Sequence, residues 1–260
     1  FINFKFNLIY YNFILISSTI ILKSGTAPFH FWFPRVIEGL SWYSGYLLIT
    51  WQKIAPLIIL SYCLSLNLLI FIIFCSIIFG RLGGINQTSL RKLIAFSSIN
   101  HLGWIISRII NREMLWFTYF LFYCFLNFSI IYLFNNLKLF NINQTFKTFY
   151  SNKFIRISLF ILLLSLGGLP PFLGFIPKWI IIELLVRNDI YFTLTIMIIF
   201  TLITLYFYLR ILYASLLLNY STINWSFKIN TLNFRSKFLL ILNFISLAGL
   251  IIINSFYFFL

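Results

Sequence analysis

Nearly continuous apolar stretches of roughly twenty residues recur from one end of this chain to the other, each about the length that crosses a hydrocarbon core near 30 Å thick. Runs such as Leu57–Leu60 and Ile196–Phe200 lack the alternation of apolar and polar residues that a membrane β-strand requires. The expected class is therefore all-α, a polytopic transmembrane helix bundle. Composition agrees: 62% of the 260 residues are hydrophobic and 9% are charged, where an ordinary soluble domain charges about a quarter of its residues. The stretches predict helices near 8–36 (interrupted), 44–65, 67–83, 93–109, 114–136, 156–187 (interrupted), 190–219 and 237–258, about eight crossings in one transmembrane domain over 1–260. The two long connections, 137–155 and 220–236, are rich in Asn, Ser, Thr and Lys, and no soluble domain fits between helices.

The formal charge of +15 does not point to nucleic acid, because the Lys and Arg residues are scattered over short connections and form no single basic face. Followed crossing by crossing, one side receives Arg91, Lys92, Lys138, Lys147, Lys153, Arg156, Lys228, Arg235 and Lys237. The other receives Arg108, Arg112 and Arg187, so the positive-inside rule assigns the first side to the matrix or cytoplasm. Cys63, Cys75 and Cys124 stand in apolar runs without Cys-x-x-Cys spacing or a neighbouring His, which argues against a metal site and a disulfide framework. There is no Gly-rich phosphate loop and no nucleophile beside a base, so neither a bound cofactor nor covalent chemistry is expected in this chain.

Two interruptions resemble each other. Lys23-Ser24-Gly25-Thr26-Ala27-Pro28 leads to Pro34, and Gly167-Gly168-Leu169-Pro170-Pro171 leads to Pro177-Lys178. Proline removes a backbone donor and glycine loosens the remainder, so the helix is expected to open at both places. Opened backbone at membrane depth is tolerated only against protein or a water-lined cavity, and paired discontinuous helices mark the site of a transporter built from repeats. The plainer alternative is a pair of helix-ending turns at the membrane surface.

Each interruption carries a lysine, and a third, Lys53, sits midway through the 44–65 stretch, too deep to reach either surface easily. A charged lysine at mid-membrane costs about 2.5–3.5 kcal/mol on insertion scales, so it persists where it faces protein, water or a partner. Desolvation weakens an amine's hold on its proton, which suits a relay. The alternative is a lysine satisfied by a backbone carbonyl or a carboxylate. His101, among Ser97, Ser98 and Asn100, is placed to link the lysines, with a hydrogen-bonded structural role as the alternative. His30 is expected to brace the first opening. Carboxylates are confined to Glu38, Glu113, Glu183 and Asp189. Of these, Glu38 is the auxiliary expected to act electrostatically on Lys23 or Lys53, while Glu183 lies off the i+4 geometry from Lys178.

Several segments together resemble one family. They are Leu22 to Pro34 (LKSGTAPFHFWFP), Glu38 to Ser41, Thr50 to Pro56 (TWQKIAP), Asn86 to Lys92, Ser97 to Trp104 (SSINHLGW) and Gly167 to Trp179. In order and over nearly the whole chain they resemble the mitochondrial NADH dehydrogenase subunit 2 family, antiporter-like subunits of the membrane arm of respiratory complex I. The resemblance implies inverted helix repeats with broken helices and a hydrated axis of charged residues. In it Lys23, Lys53 and Lys178 relay protons driven by quinone reduction elsewhere. It further implies residence in the mitochondrial inner membrane, other membrane-arm and accessory subunits and phospholipids as partners, and FMN, iron–sulfur clusters and ubiquinone held by those partner subunits. A stand-alone cation/proton antiporter and a structural spacer are the competing readings.

The family carries a glutamate on an earlier helix, whereas nothing before Lys23 here is acidic and the chain begins with Phe1, so N-terminal helices are expected upstream. Met occurs only twice in an Ile-rich chain, and Arg35, Arg81, Arg108 and Arg112 stand where the resemblance does not ask for arginine. An organellar gene read with the wrong genetic code would produce both anomalies, turning Met codons into Ile and Ser codons into Arg.

Overall fold

The computed structural model describes residues 2–62, 66–110, 116–148, 153–217 and 238–248. Cys63, Arg112, Glu113, the 220–236 connection with Lys228 and Arg235, and the chain beyond 248 lie outside them. Apart from turns and one isolated bridge between Ser89 and Asn141, the described residues form helices: α1 (Ile2–Ser24), α2 (Trp32–Gly39), α3 (Trp42–Ile49), α4 (Trp51–Tyr62), α5 (Leu66–Ile85), α6 (Leu90–Ile109), α7 (Trp116–Leu137), α8 (Ile142–Thr148), α9 (Lys153–Gly167), α10 (Phe175–Arg187), α11 (Tyr191–Leu217) and α12 (Phe238–Ala248). By length and composition α5, α7 and α11 suffice to cross a membrane, and α1, α9 and α12 contain shorter apolar helices.

The bundle is organised around α6, which is buried along nearly its whole length and contacted by α2, α3, α4, α5, α7 and α10. Its closest neighbour is α5. A Cβ at Gly80 would stand 2.8 Å from the Asn100 amide nitrogen, so glycine is what lets the two backbones meet there. A helix surrounded on all sides is apolar all round in most proteins. Here instead α6 carries Ser97, Ser98, Asn100, His101 and Ser107 inward, and its neighbours must accommodate them.

Both expected interruptions are present, the first between α1 and α2 and the second between α9 and α10. Two expectations change. The 44–65 stretch is two helices, because the chain turns at Thr50, where the Lys53 amide returns to the Thr50 carbonyl at 3.1 Å. Pro56 inside α4 has no amide to offer Gln52, which leaves the first turn of that helix weakly tied. Lys53 is thus the third residue of a helix and not the middle of a continuous span. The 137–155 connection is no free loop either. It contains α8 and is pinned to the α5–α6 turn by Leu90 N–H to Phe140 O (2.8 Å) and Ile142 N–H to Thr88 O (3.0 Å).

Candidate functional site: a buried row of cations

At the first break, Gly25 takes φ +72°, a conformation that glycine enters without strain. The carbonyls at the opening gain side-chain partners beside the backbone amides they still accept. Ile21 O accepts from the Ser24 and Thr26 hydroxyls at 2.9 and 3.3 Å, and Leu22 O accepts from Trp32 Nε1 at 3.1 Å. His30 does brace this segment, with Nδ1 3.3 Å from Pro28 O and its ring against Phe31, Phe79 and Phe96.

Lys23 departs from expectation. The buried stripe of the last turns of α1 runs through Ser17, Ile21 and Ser24, so position 23 falls on the opposite side and its side chain is exposed. Glu38 departs too. From the last turn of α2 it reaches the rim of the bundle, where its carboxylate pairs with Lys92 at 2.8 Å and its carbonyl accepts from Arg91 at 2.6 Å. It therefore fastens α2 to the start of α6 and touches neither Lys23 nor Lys53. Glu183 likewise pairs along its own helix, with Arg187 at 2.6 Å.

Lys53 and Lys178 are buried, at 1% and 5% exposure, in surroundings where no carboxylate of the described residues pairs with either. Lys53 Nζ donates to Ser98 Oγ at 3.2 Å and lies over two aromatic rings, Phe33 at 4.7 Å and Tyr123 at 5.8 Å. Lys178 Nζ donates to Gly167 O at 2.6 Å, closing the second break, and lies 6.0 Å from the Trp104 ring. For Lys178 the backbone-carbonyl alternative is thus realised in one of the three donors an ammonium carries.

His101 is buried between them on α6, with Nδ1 2.9 Å from the Tyr119 hydroxyl and its ring 5.1 Å from that of Tyr123. On α6 it lies three residues from Ser98, which holds Lys53, and three from Trp104, whose ring lies near Lys178. The structure therefore brings Lys53, His101 and Lys178 into one electrostatic neighbourhood and leaves Lys23 and Glu38 outside it.

Sequence reasoning passed over Tyr119, Tyr123 and Ser98 as a lysine ligand, and it marked Arg81 as out of place without assigning it to the site. Arg81 is fully buried, donating to Asn100 Oδ1 at 2.9 Å and Met197 O at 3.1 Å, with Nη2 unpartnered. The signal for Tyr119 and Tyr123 was their i+4 spacing on α7, which puts both on one face. In a chain with 15 tyrosines that spacing does not stand out. Arg210, on α11, donates to Gln87 O at 3.3 Å.

An all-helical bundle with opened helices and cations in its interior is the architecture of antiporter-like membrane subunits. The NADH:quinone oxidoreductase/Mrp antiporter transmembrane family model matches residues 1–204, and the NADH dehydrogenase subunit 2 C-terminus model matches 205–257. The fold is similar to that of a chain in respiratory complex I from Thermus thermophilus, with TM-score 0.75 at 20% identity over 88% of this chain and 54% of that one. It is also similar to a chain of the Mrp complex from Dietzia, with TM-score 0.66 at 15% identity over 76% of this chain and 40% of that one. The chain thus spans about half the length of these solved chains. Among curated relatives it is 56% identical to NADH-ubiquinone oxidoreductase chain 2 of Anopheles gambiae over 95% of this chain and 72% of the relative. The Aedes aegypti relative of the same name is 54% identical over 91% and 70%. The chain belongs to the NADH-ubiquinone oxidoreductase chain 2 family.

Proposed function

We propose that this chain is a proton-translocating subunit of the membrane arm of complex I, NADH:ubiquinone oxidoreductase, in the mitochondrial inner membrane. In this reading it crosses the bilayer about eight times as part of an antiporter-like inverted repeat, with its lysine-rich connections toward the matrix. Lys53, His101 and Lys178 carry protons between hydrated half-channels, and Lys23, exposed on this chain, joins them through water and not by contact. The redox groups (FMN, iron–sulfur clusters and ubiquinone) belong to other subunits, and the lipid-facing surface meets phospholipids and neighbouring membrane-arm and accessory subunits.

The observation that carries the reading is the pair of buried lysines flanking His101. An ammonium out of water is expensive unless paired, and these two are held by one hydroxyl, one carbonyl and aromatic faces instead of carboxylates. Groups so weakly compensated in the charged form exchange a proton at small cost, whereas a tight ion pair holds it. Family membership favours the complex I reading over a stand-alone cation/proton antiporter.

The test is Lys53→Ala and Lys178→Ala, introduced separately into an assembled homologous complex, with proton uptake measured per NADH oxidised. Each is expected to lower pumping by tenfold or more, on the order of the loss that follows removal of one essential proton carrier. Unimpaired pumping in both would leave only a spacer role, and sodium-dependent transport by the isolated chain would favour the antiporter.

A further inference from the structure

The ring of Phe33 is completely buried between two features that the sequence keeps far apart. On one side is the first helix break: a Cβ built on Gly25 would lie 3.0 Å from Phe33 Cδ2 and 3.1 Å from its Cβ and Cγ, so the ring rests directly on the left-handed glycine. On the other is Lys53, whose Nζ stands 4.7 Å from the ring centroid. Phe33 is fixed by α2, immediately after the opened segment, and its amide donates to His30 O at 3.1 Å. Any change in how far the break is open must carry this ring with it.

A cation over an aromatic face is attracted by the ring quadrupole, and the attraction strengthens once the pair is desolvated. Lys53 has one hydrogen bond among the described residues, to Ser98, so the aromatic faces of Phe33 and Tyr123 supply much of what replaces water around its charged form. Other ionisable groups reach it from the packed helices, Cys124 and Tyr123 on α7 and His101 on α6, and none is a carboxylate. A face that approaches and withdraws is therefore an effective control on whether the amine keeps its proton.

We propose that Phe33 is a positioning residue that couples the first helix break to the charge state of Lys53, through a cation–π contact made when the break is closed over Gly25. The inference rests on the relay role of Lys53 given above. In one state the ring stabilises the ammonium, and in the other its withdrawal releases the proton to the next acceptor. The proton that leaves Lys53 Nζ is the one it accepted, so no other reactant is consumed.

The experiment substitutes Phe33 in an assembled homologous complex and measures protons moved per NADH oxidised alongside the amount of complex. Phe33→Leu and Phe33→Met keep an apolar side chain but remove the face, whereas Phe33→Tyr and Phe33→Trp keep the face and change the volume. Several-fold loss in the two aliphatic variants with retention in the two aromatic ones is the expected result. If Phe33→Leu fails to assemble, Phe33→Met is the aliphatic member compared with the aromatic pair. Equal pumping by aliphatic and aromatic complexes, or losses that follow side-chain volume instead of aromaticity, would overturn the coupling. Lys53→Ala in the same background separates the levels. If it abolishes pumping while Phe33→Leu and Phe33→Met pump normally, only the coupling is wrong; if Lys53→Ala pumps normally, the relay itself is wrong.

Discussion

The two helix breaks are built on one plan and finished differently. Each begins at a left-handed glycine, Gly25 at φ +72° and Gly168 at φ +75°, and nine residues beyond each stands a proline followed by a cation: Pro34-Arg35 and Pro177-Lys178. At the first, the residue that closes over the glycine is Phe33, and Leu22 O, which has lost its i+4 amide and accepts from Gly25 at 3.3 Å, is also taken by an indole. At the second, Lys178 closes over the glycine, and its ammonium takes the freed carbonyl of Gly167. Arg35, at the place of Lys178, is exposed. The cation that belongs to the interior near the first break is supplied instead by Lys53, from another helix and through the ring of Phe33. Equivalent backbone openings can thus serve the same buried charge either directly or at one remove, and the side chain over the glycine decides which.

The largest effect that tests this contrast is loss of the two register-matched cations. Lys178→Ala removes the amine that closes its break and is expected to abolish most proton transfer in the assembled complex, whereas Arg35→Ala, on an exposed side chain, is expected to leave it within experimental error. Comparable losses in both, measured as protons per NADH, would show that the breaks are not functionally distinct.

A smaller effect follows from the glycines themselves. Alanine in the left-handed region costs roughly 1–2 kcal/mol at either position. The added methyl at Gly168 would also lie 2.8 Å from Lys178 Nζ and Cδ, and at Gly25 it would press on Phe33 at 3.0 Å. Gly168→Ala is expected to lower pumping the more, since it displaces the amine itself, while both lower the thermal stability of the complex by similar amounts. The reverse order of pumping losses would place the more sensitive coupling at the first break.

Much of this was legible in the chain. Apolar stretches gave the helices, and Gly with Pro marked the two openings, because those residues act through local backbone conformation that needs no partner. Lys53, Lys178 and His101 stood out because a charge in an apolar run is conspicuous. Direction was not legible. Lys23 faces outward because of its angle on α1 relative to Ile21 and Ser24, and Glu38 reaches Lys92 because α2 happens to end beside α6, facts that only packing fixes. The turn at Thr50 was hidden for a similar reason. Pro56 marks a weakness that a helix often bridges by bending, and here the chain turns several residues earlier.

The remaining prediction concerns Arg81, whose charge also reaches Lys178 and so bears on how isolated the second break's amine is. A guanidinium at 0% exposure with Nη2 unpartnered, and no carboxylate among the described residues within salt-bridge reach, is a costly thing to keep in the interior that also holds Lys178. Arg108, also buried, donates to Thr118 Oγ1 at 3.4 Å. A serine at either place would be inexpensive. On the same two helices Ser76, Ser97, Ser98 and Ser107 each return the hydroxyl proton to the carbonyl three residues back, at 2.7 to 2.9 Å. The wrong-code expectation therefore has a packing argument behind it, and it predicts serine at positions 81 and 108 in peptides of the native protein measured by mass. Serine there would leave Lys53, His101 and Lys178 as the buried nitrogens of the row among the described residues and would sharpen the difference between the breaks. Arginine at both positions would end the idea and make Arg81 a fixed charge that the relay must work against.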